Sequence, residues 1–180
     1  MEKLLLLNQL ENQVESHLQQ AIQKYQNLSD EILLKPSSSG GWSIAQCLEH
    51  LNSYGVYYLP LFEKGLAESK VDMSLETIKS TWLGKLAIDS MNPEKGKKKF
   101  KAMKGHIPER VLDAKTVVAE FINQQEQVLQ ILRTSKNKCI QQIKIPISIA
   151  KFLKLHLADA LQFLIIHNER HIQQANRNLF

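Results

Sequence analysis

The sequence predicts an all-α protein, a four-helix bundle with a long crossover between its second and third helices. Three observations lead there. Apolar residues recur at spacings of three and four through four long stretches, the seven glycines and five prolines leave most of those stretches uninterrupted, and the frequent turns of an all-β domain are missing. At 180 residues with 43% hydrophobic content the chain can bury one core, so a single domain over 1–180 is expected.

The first helix follows from Leu7, Leu10, Val14, Leu18, Ile22 and Tyr25, a stripe running from about residue 3 to 27 that ends before Pro36. Ser37-Ser38-Ser39-Gly40-Gly41 reads as a loop. Ser43 stands three residues before Gln46, the spacing of a capping box, so a second helix begins there. It carries Ile44, Leu48, Leu51, Gly55, Leu59 and Phe62, with a kink expected at Pro60 because proline removes a backbone donor and crowds the preceding turn.

Residues 68–108 form the expected crossover, with a short helix around Leu75 to Ile88, then Asn92-Pro93, a lysine run and Pro108. Asp113 is the expected N-cap of a third helix reaching Arg133, with Val117, Val118, Phe121, Ile122, Val128, Leu129 and Leu132 on its apolar face. The stretch Ile143 to Ile147 is extended at most, since Pro146 excludes it from a central strand. Periodicity returns for the last helix, from His156 or Leu157 to Asn178.

Much of the net charge of +5 is local. Lys95, Lys97, Lys98, Lys99, Lys101, Lys104 and Arg110 meet only Glu94 and Glu109. Only Phe100 interleaves this run and no nucleic-acid module is recognisable, so a solvated basic loop is favoured over nucleic-acid contact, with attraction of an anionic substrate between the two. Leu4 to Leu7 is too short for a leader or a membrane span. Cys47 and Cys139 form no paired motif, which fits a reducing compartment, and a cytoplasmic protein is expected.

The chemistry concentrates in histidines. His167 and His171, in His167-Asn168-Glu169-Arg170-His171, stand four residues apart and project from one helix face. At about 100° per residue His167 lies within roughly 20° of Ala160 and about 40° of Phe163, so the pair shares the core-facing stripe with Gln174. His50 sits on the flank of the second helix's stripe, with Cys47 one turn before it and Tyr54 and Tyr57 one and two turns after, as one side of a cavity. Three histidines on two helices can hold a metal ion and leave a coordination position open.

Other candidates fail on position. His156 is about 16 Å along the axis from His167 and suits a helix N-cap or an exposed position, while His17 and His106 have no spaced partner. Glu169 is two residues after His167 and faces away, so the segment is not the HExxH of metalloproteases. No phosphate loop or serine elbow is present. An isolated histidine pair is commonly structural, yet imidazoles on an apolar stripe need partners, and a metal supplies them while Gln174 and backbone groups bond the far side of the rings.

The string Trp42-Ser43-Ile44-Ala45-Gln46-Cys47-Leu48-Glu49-His50-Leu51, the linker from Phe100-Lys101 to Pro108, and His167-x-x-Arg170-His171-x-x-Gln174 together resemble the DinB superfamily, in particular its DinB_2-like branch. The resemblance spans nearly the whole chain. It implies a DinB/YfiT-like four-helix bundle, frequently a homodimer, carrying a divalent metal on His50, His167 and His171. Members similar in fold are described as metal-dependent hydrolases, and relatives include S-transferases that use bacillithiol or mycothiol and a mycothiol-dependent isomerase.

The expected function is therefore a DinB-like metal-dependent enzyme acting on a small molecule, with water or a low-molecular-weight thiol as nucleophile. Zinc and nickel are the foremost ions, although imidazole also suits copper and iron. Cys47, Tyr54, Tyr57, Arg170 and Gln174 are the candidate pocket residues, Cys47 being more plausible as inert packing than as a reactive thiol. The alternative is a metal-dependent ligand-binding or dimeric interaction module without turnover. No membrane partner is expected, and nucleic acid is a third reading resting on the Lys95 to Lys104 loop.

Overall fold

The computed structural model describes residues 1–38, 40–70, 77–95 and 101–179. Helix α1 spans Lys3–Gln20 and continues into a π-helical turn over Ala21–Tyr25. A short α2, Asp30–Leu34, is capped by the Ser29 side chain, which accepts from Ile32 N–H. Then come α3 (Ile44–Glu68), α4 (Trp82–Met91), a 3₁₀ turn at Lys104–His106, α5 (Ala114–Ser135), strands β1 (Lys144–Ile147) and β2 (Ala150–His156), and α6 (Leu157–Asn176). The four long helices form the bundle: α3 packs on α5 and α6, and α1 packs on the same two helices from the other side.

The helix starts follow the local chemistry. Ser43 and Gln46 make the expected capping box, each side chain accepting the other's backbone N–H at 3.1 Å. Asp113 caps α5 by accepting from Thr116 N–H. Pro60 does not end α3, which continues to Glu68 with the proline ring on its exposed side. The expected stripe of α3 is buried throughout.

Three expectations change. The stripe of α1 leaves the expected phase after Val14: Ile22 is 41% exposed, and His17 and Ala21 are buried instead. The π turn inserts extra chain per turn and brings Tyr25 back onto the core side. The short helix of the connection runs from Trp82 to Met91, capped by Thr81, so it begins and ends later than expected; Leu75 and Glu76, the first residues of the expected span, lie outside the described residues. Lys97, Lys98, Lys99 and Phe100 of the basic loop also lie outside them.

The protein is not purely helical. Strands β1 and β2 pair antiparallel, with Ile145 opposite Leu155, both buried against the bundle. In a two-stranded sheet each strand is an edge, so Pro146 is tolerated although it lacks an N–H. His156 is the N-cap residue of α6, as expected, but its ring does not cap the helix and bonds the Gln141 carbonyl instead.

The core divides along the bundle axis. On α3 the residues up to Leu51 belong to one apolar cluster and those from Tyr54 to another; on α6 the division falls between Ile165 and Ile172. His50, His167 and His171 occupy that junction, where two apolar layers meet across α3 and α6.

Helix α4 lies along α6 and is tied at both ends. Buried Asp159 accepts from Thr81 N–H and from its hydroxyl, both at 3.3 Å, and Arg170 donates to the Ser90 carbonyl. Gly84 permits the close approach: an added Cβ would lie 2.9 Å from Asp159 Cβ and closer still to the carboxylate. Turning the carboxylate away cannot relieve this, so backbone must move. Gly84→Ala is therefore expected to cost about 1–3 kcal/mol despite alanine's better helix propensity. Gly105→Ala, which meets nothing within 4 Å, should stay within about 0.5 kcal/mol of the parent in denaturant unfolding. Equal stabilities for the two variants would contradict this packing.

Candidate metal centre

His50 comes from the second turn of α3, fixed in phase by the capping box at Ser43, and His167 and His171 from consecutive turns of α6. One ring nitrogen of each lies within 4.8 Å of those of the other two, and they are the one such group of potential ligands among the described residues. The ring centroids are 4.6 to 5.0 Å apart and the rings meet edge to face. His50 and His167 are 3% and 2% exposed, whereas His171 is half-buried and marks the side open to solvent.

The hydrogen bonds fix which nitrogens are available. His50 Nδ1 donates to the His106 carbonyl oxygen at 2.6 Å, and His171 Nδ1 donates to Gln174 Oε1 at 3.0 Å. A neutral imidazole carries one N–H, so Nε2 of each presents a lone pair. Nε2 of His50 and of His167 face each other at 3.2 Å, while His167 Nδ1 is buried without a partner.

Burial holds all three rings neutral. It pushes His50 down to about 4 and His171 down to about 3, the neighbouring His50 and the Arg170 and Arg177 guanidiniums adding to the effect on His171. His167 is driven well below the usual histidine range by burial first and by its neighbours second. Neutral rings with converging lone pairs suit a cation. Two nitrogens at about 2.0–2.1 Å from a tetrahedral ion stand roughly 3.3 Å apart, close to the His50–His167 spacing.

The other anticipated residues are dispersed. Gln174 accepts from His171, and Tyr54 is 7% exposed with its ring 4.5 Å from that of His167 and 5.1 Å from that of His50. Arg170 reaches Ser90 of α4. The ring of Tyr57 packs on Tyr58, and its hydroxyl donates to the Pro146 carbonyl. Cys47 sits fully buried in the apolar cluster with Leu48 and Phe121, where burial pushes its thiol up to about 12.

Three neighbours were not among the anticipated pocket residues. Trp42 covers the centre, its ring 4.9 Å from His50 and 5.8 Å from His171, and Phe163 stacks on His167 at 5.7 Å. Phe163 stands one helical turn before His167, whereas Trp42 precedes the N-cap of α3 and has no helical spacing to any ligand. His106 lies 8% exposed and stacks on Tyr54 at 3.8 Å, although no periodicity links it to either helix. His17 has a partner after all, Glu169, at 2.8 Å, which explains why Glu169 faces α1 and not the centre.

The sequence matches the model of the DinB superfamily over residues 13–175. The chain belongs to the DinB superfamily. This DinB chain is similar in structure to YfiT from Bacillus subtilis, described as "a probable metal-dependent hydrolase with an unusual four-helix bundle topology". The two share 19% sequence identity at a TM-score of 0.56, over 98% of this chain and 85% of YfiT, a likeness that shows the fold. No curated protein matches significantly in sequence. No helix among the described residues is long and apolar enough to cross a membrane.

The depressed histidine pKa values give a signed stability prediction for protein kept in chelator. The unfolded chain binds protons near pH 6.5, the folded one only near pH 4 and below, so above about 6.5 the rings are neutral in both states and carry no protonation penalty. As pH falls from about 6.5 toward 4 and 3, the unfolded chain takes up protons that the folded rings do not, and the folded state is progressively destabilised. The thermal midpoint should drop across this window, and less steeply in His171→Gln. A midpoint with the same pH profile in parent and variant would count against burial of a neutral cluster.

Proposed function

We propose that this protein is a DinB-like metal-dependent enzyme acting on a small molecule, with His50, His167 and His171 holding one divalent transition ion. One observation carries the reading: three neutral imidazoles converge from two helices, two of them with their Nδ1 hydrogens already committed elsewhere. Zinc and nickel are the foremost candidates for an all-nitrogen set. With no carboxylate among its ligands, such an ion keeps its full charge and favours the deprotonated form of a water or thiol that reaches it.

The chain's own residues then define access and orientation. Trp42 and Tyr54 wall the centre on the α3 side, so a substrate enters beside half-buried His171 and Gln174. Arg170 and Arg177 bring positive charge to that side, as their depressing effect on His171 records. An anionic small molecule, or a low-molecular-weight thiol bearing a carboxylate, fits this rim best. Hydrolysis and thiol S-transfer both remain within the proposal.

A second reading, a metal-dependent binding or dimeric interaction module without turnover, draws on another observation. Trp82 on α4 and Phe152 on β2 are 76% and 84% exposed, on two elements that touch. Apolar exposure of that kind suits a partner, a second copy of the chain being the simplest.

Purified protein should contain about one divalent transition ion per chain, and His167→Ala or His171→Ala should lose most of it. Full occupancy in the triple variant lacking His50, His167 and His171, measured by elemental analysis, would sink the assignment. Because the ion joins α3 to α6, it should stabilise the fold by RT ln(1 + [L]/Kd), about 4 kcal/mol at a thousandfold excess over Kd, and raise the melting temperature accordingly. An unchanged melting curve after verified metal removal would mean the helices are not joined through an ion.

Turnover assays with zinc, nickel, manganese and iron, each with and without added thiol, separate the reactions. Dependence on both ion and thiol indicates S-transfer, and dependence on the ion alone indicates hydrolysis. No turnover by folded, metal-loaded protein would favour the binding module.

A further inference from the structure

We propose that His106 is the residue that positions His50, through a closed circuit of hydrogen bonds in which each histidine's ring holds the other's main chain. The ring of His50 donates from Nδ1 to the His106 carbonyl at 2.6 Å. In return, the Ser53 hydroxyl donates to the His50 carbonyl at 2.7 Å and lies 2.9 Å from His106 Nδ1. A serine hydroxyl has one hydrogen, already given to His50, so toward His106 it accepts. His106 therefore carries its hydrogen on Nδ1, and its Nε2 accepts from the Ser148 hydroxyl at 3.1 Å.

The circuit ties three elements that are distant in sequence. Ser53 lies on α3 and His106 on the 3₁₀ turn, while Ser148 follows β1, with its backbone N–H donating to Tyr58 of α3. The ring of His106 also lies flat on Tyr54, whose ring touches His167, so the same side chain braces both helices of the centre. Without that anchor, nothing in the circuit fixes the carbonyl opposite His50 Nδ1, and the ring can exchange tautomers and turn its lone pair away. The inference rests on the metal reading for its consequence, but the tautomer it assigns does not.

The test uses the full ¹⁵N-labelled chain in chelator, with the imidazole nitrogens read by long-range ¹H–¹⁵N correlation, and zinc affinity measured separately by competition. The parent should show His50 as a single neutral Nδ1–H tautomer. His106→Ala and Ser53→Ala should both mix in the Nε2–H form and weaken zinc about 10–100-fold, the range for partners behind a ligand. His106→Gln, whose amide offers a donor and an acceptor, should restore part of both.

Ser53→Ala removes one link with little loss of packing and answers the question even if His106→Ala fails to fold. An Nε2–H tautomer for His50 in the parent overturns the inference, as does an unchanged His50 pattern in Ser53→Ala. A parent that binds no zinc, yet shows the Nδ1–H tautomer and its loss in the variants, overturns the metal reading and leaves the circuit standing.

Discussion

Three imidazoles gathered where α3 packs on α6, two buried and one half-buried, impose the constraint from which the rest of the site follows. Charged rings are too costly at that depth, so each stays neutral with one donor and one acceptor to satisfy. The structure gives two of the donors fixed partners, the His106 carbonyl and the Gln174 amide oxygen, and leaves the acceptors converging. A hydrogen bond from His167 to His50 can occupy the 3.2 Å gap in the absence of a cation. A cation does better, because it meets several lone pairs at once.

The bundle meets this constraint by giving up apolar contact at one level. Above and below the histidines the layers are continuous hydrophobic packing, from Ile44 to Leu51 on one side and from Tyr54 to Leu66 on the other. The site is thus held between two apolar clusters. The connecting segments surround it. Of these, α4 is docked along α6 by Asp159 and Arg170, and the 3₁₀ turn is docked on α3 by His106 and Ser53.

Helical periodicity made His50, His167 and His171 legible, because ligands on helix faces keep their spacing in sequence. The same rule exposed Ser43, Asp113 and the buried faces of α3 and α5. It failed where the period itself changes, as at the π turn that shifts α1, and where a strand shows no alternation. The run Lys151 to Lys154 is exposed at every position although Phe152 and Leu153 are apolar, so the apolar residues of β2 do not mark a buried face. His106 was hidden for a different reason: it acts on His50 through a main-chain carbonyl, which every residue has. His17 escaped because its partner, Glu169, is 152 residues away and was judged only by the face it does not occupy.

Cys47 shows how environment, not proximity in sequence, decides chemistry. It stands three residues before His50, yet it is packed among Ile44, Leu48 and Phe121 with its thiol pushed up to about 12. At neutral pH such a thiol is protonated and sealed, so it cannot serve as the nucleophile or be regenerated by solvent reductant. Any thiol chemistry at this centre would therefore need a thiol supplied from outside the chain. That requirement separates a thiol-dependent enzyme from a cysteine enzyme on the same fold: the first loses activity when the small thiol is withheld, whereas Cys47→Ala leaves its chemistry intact.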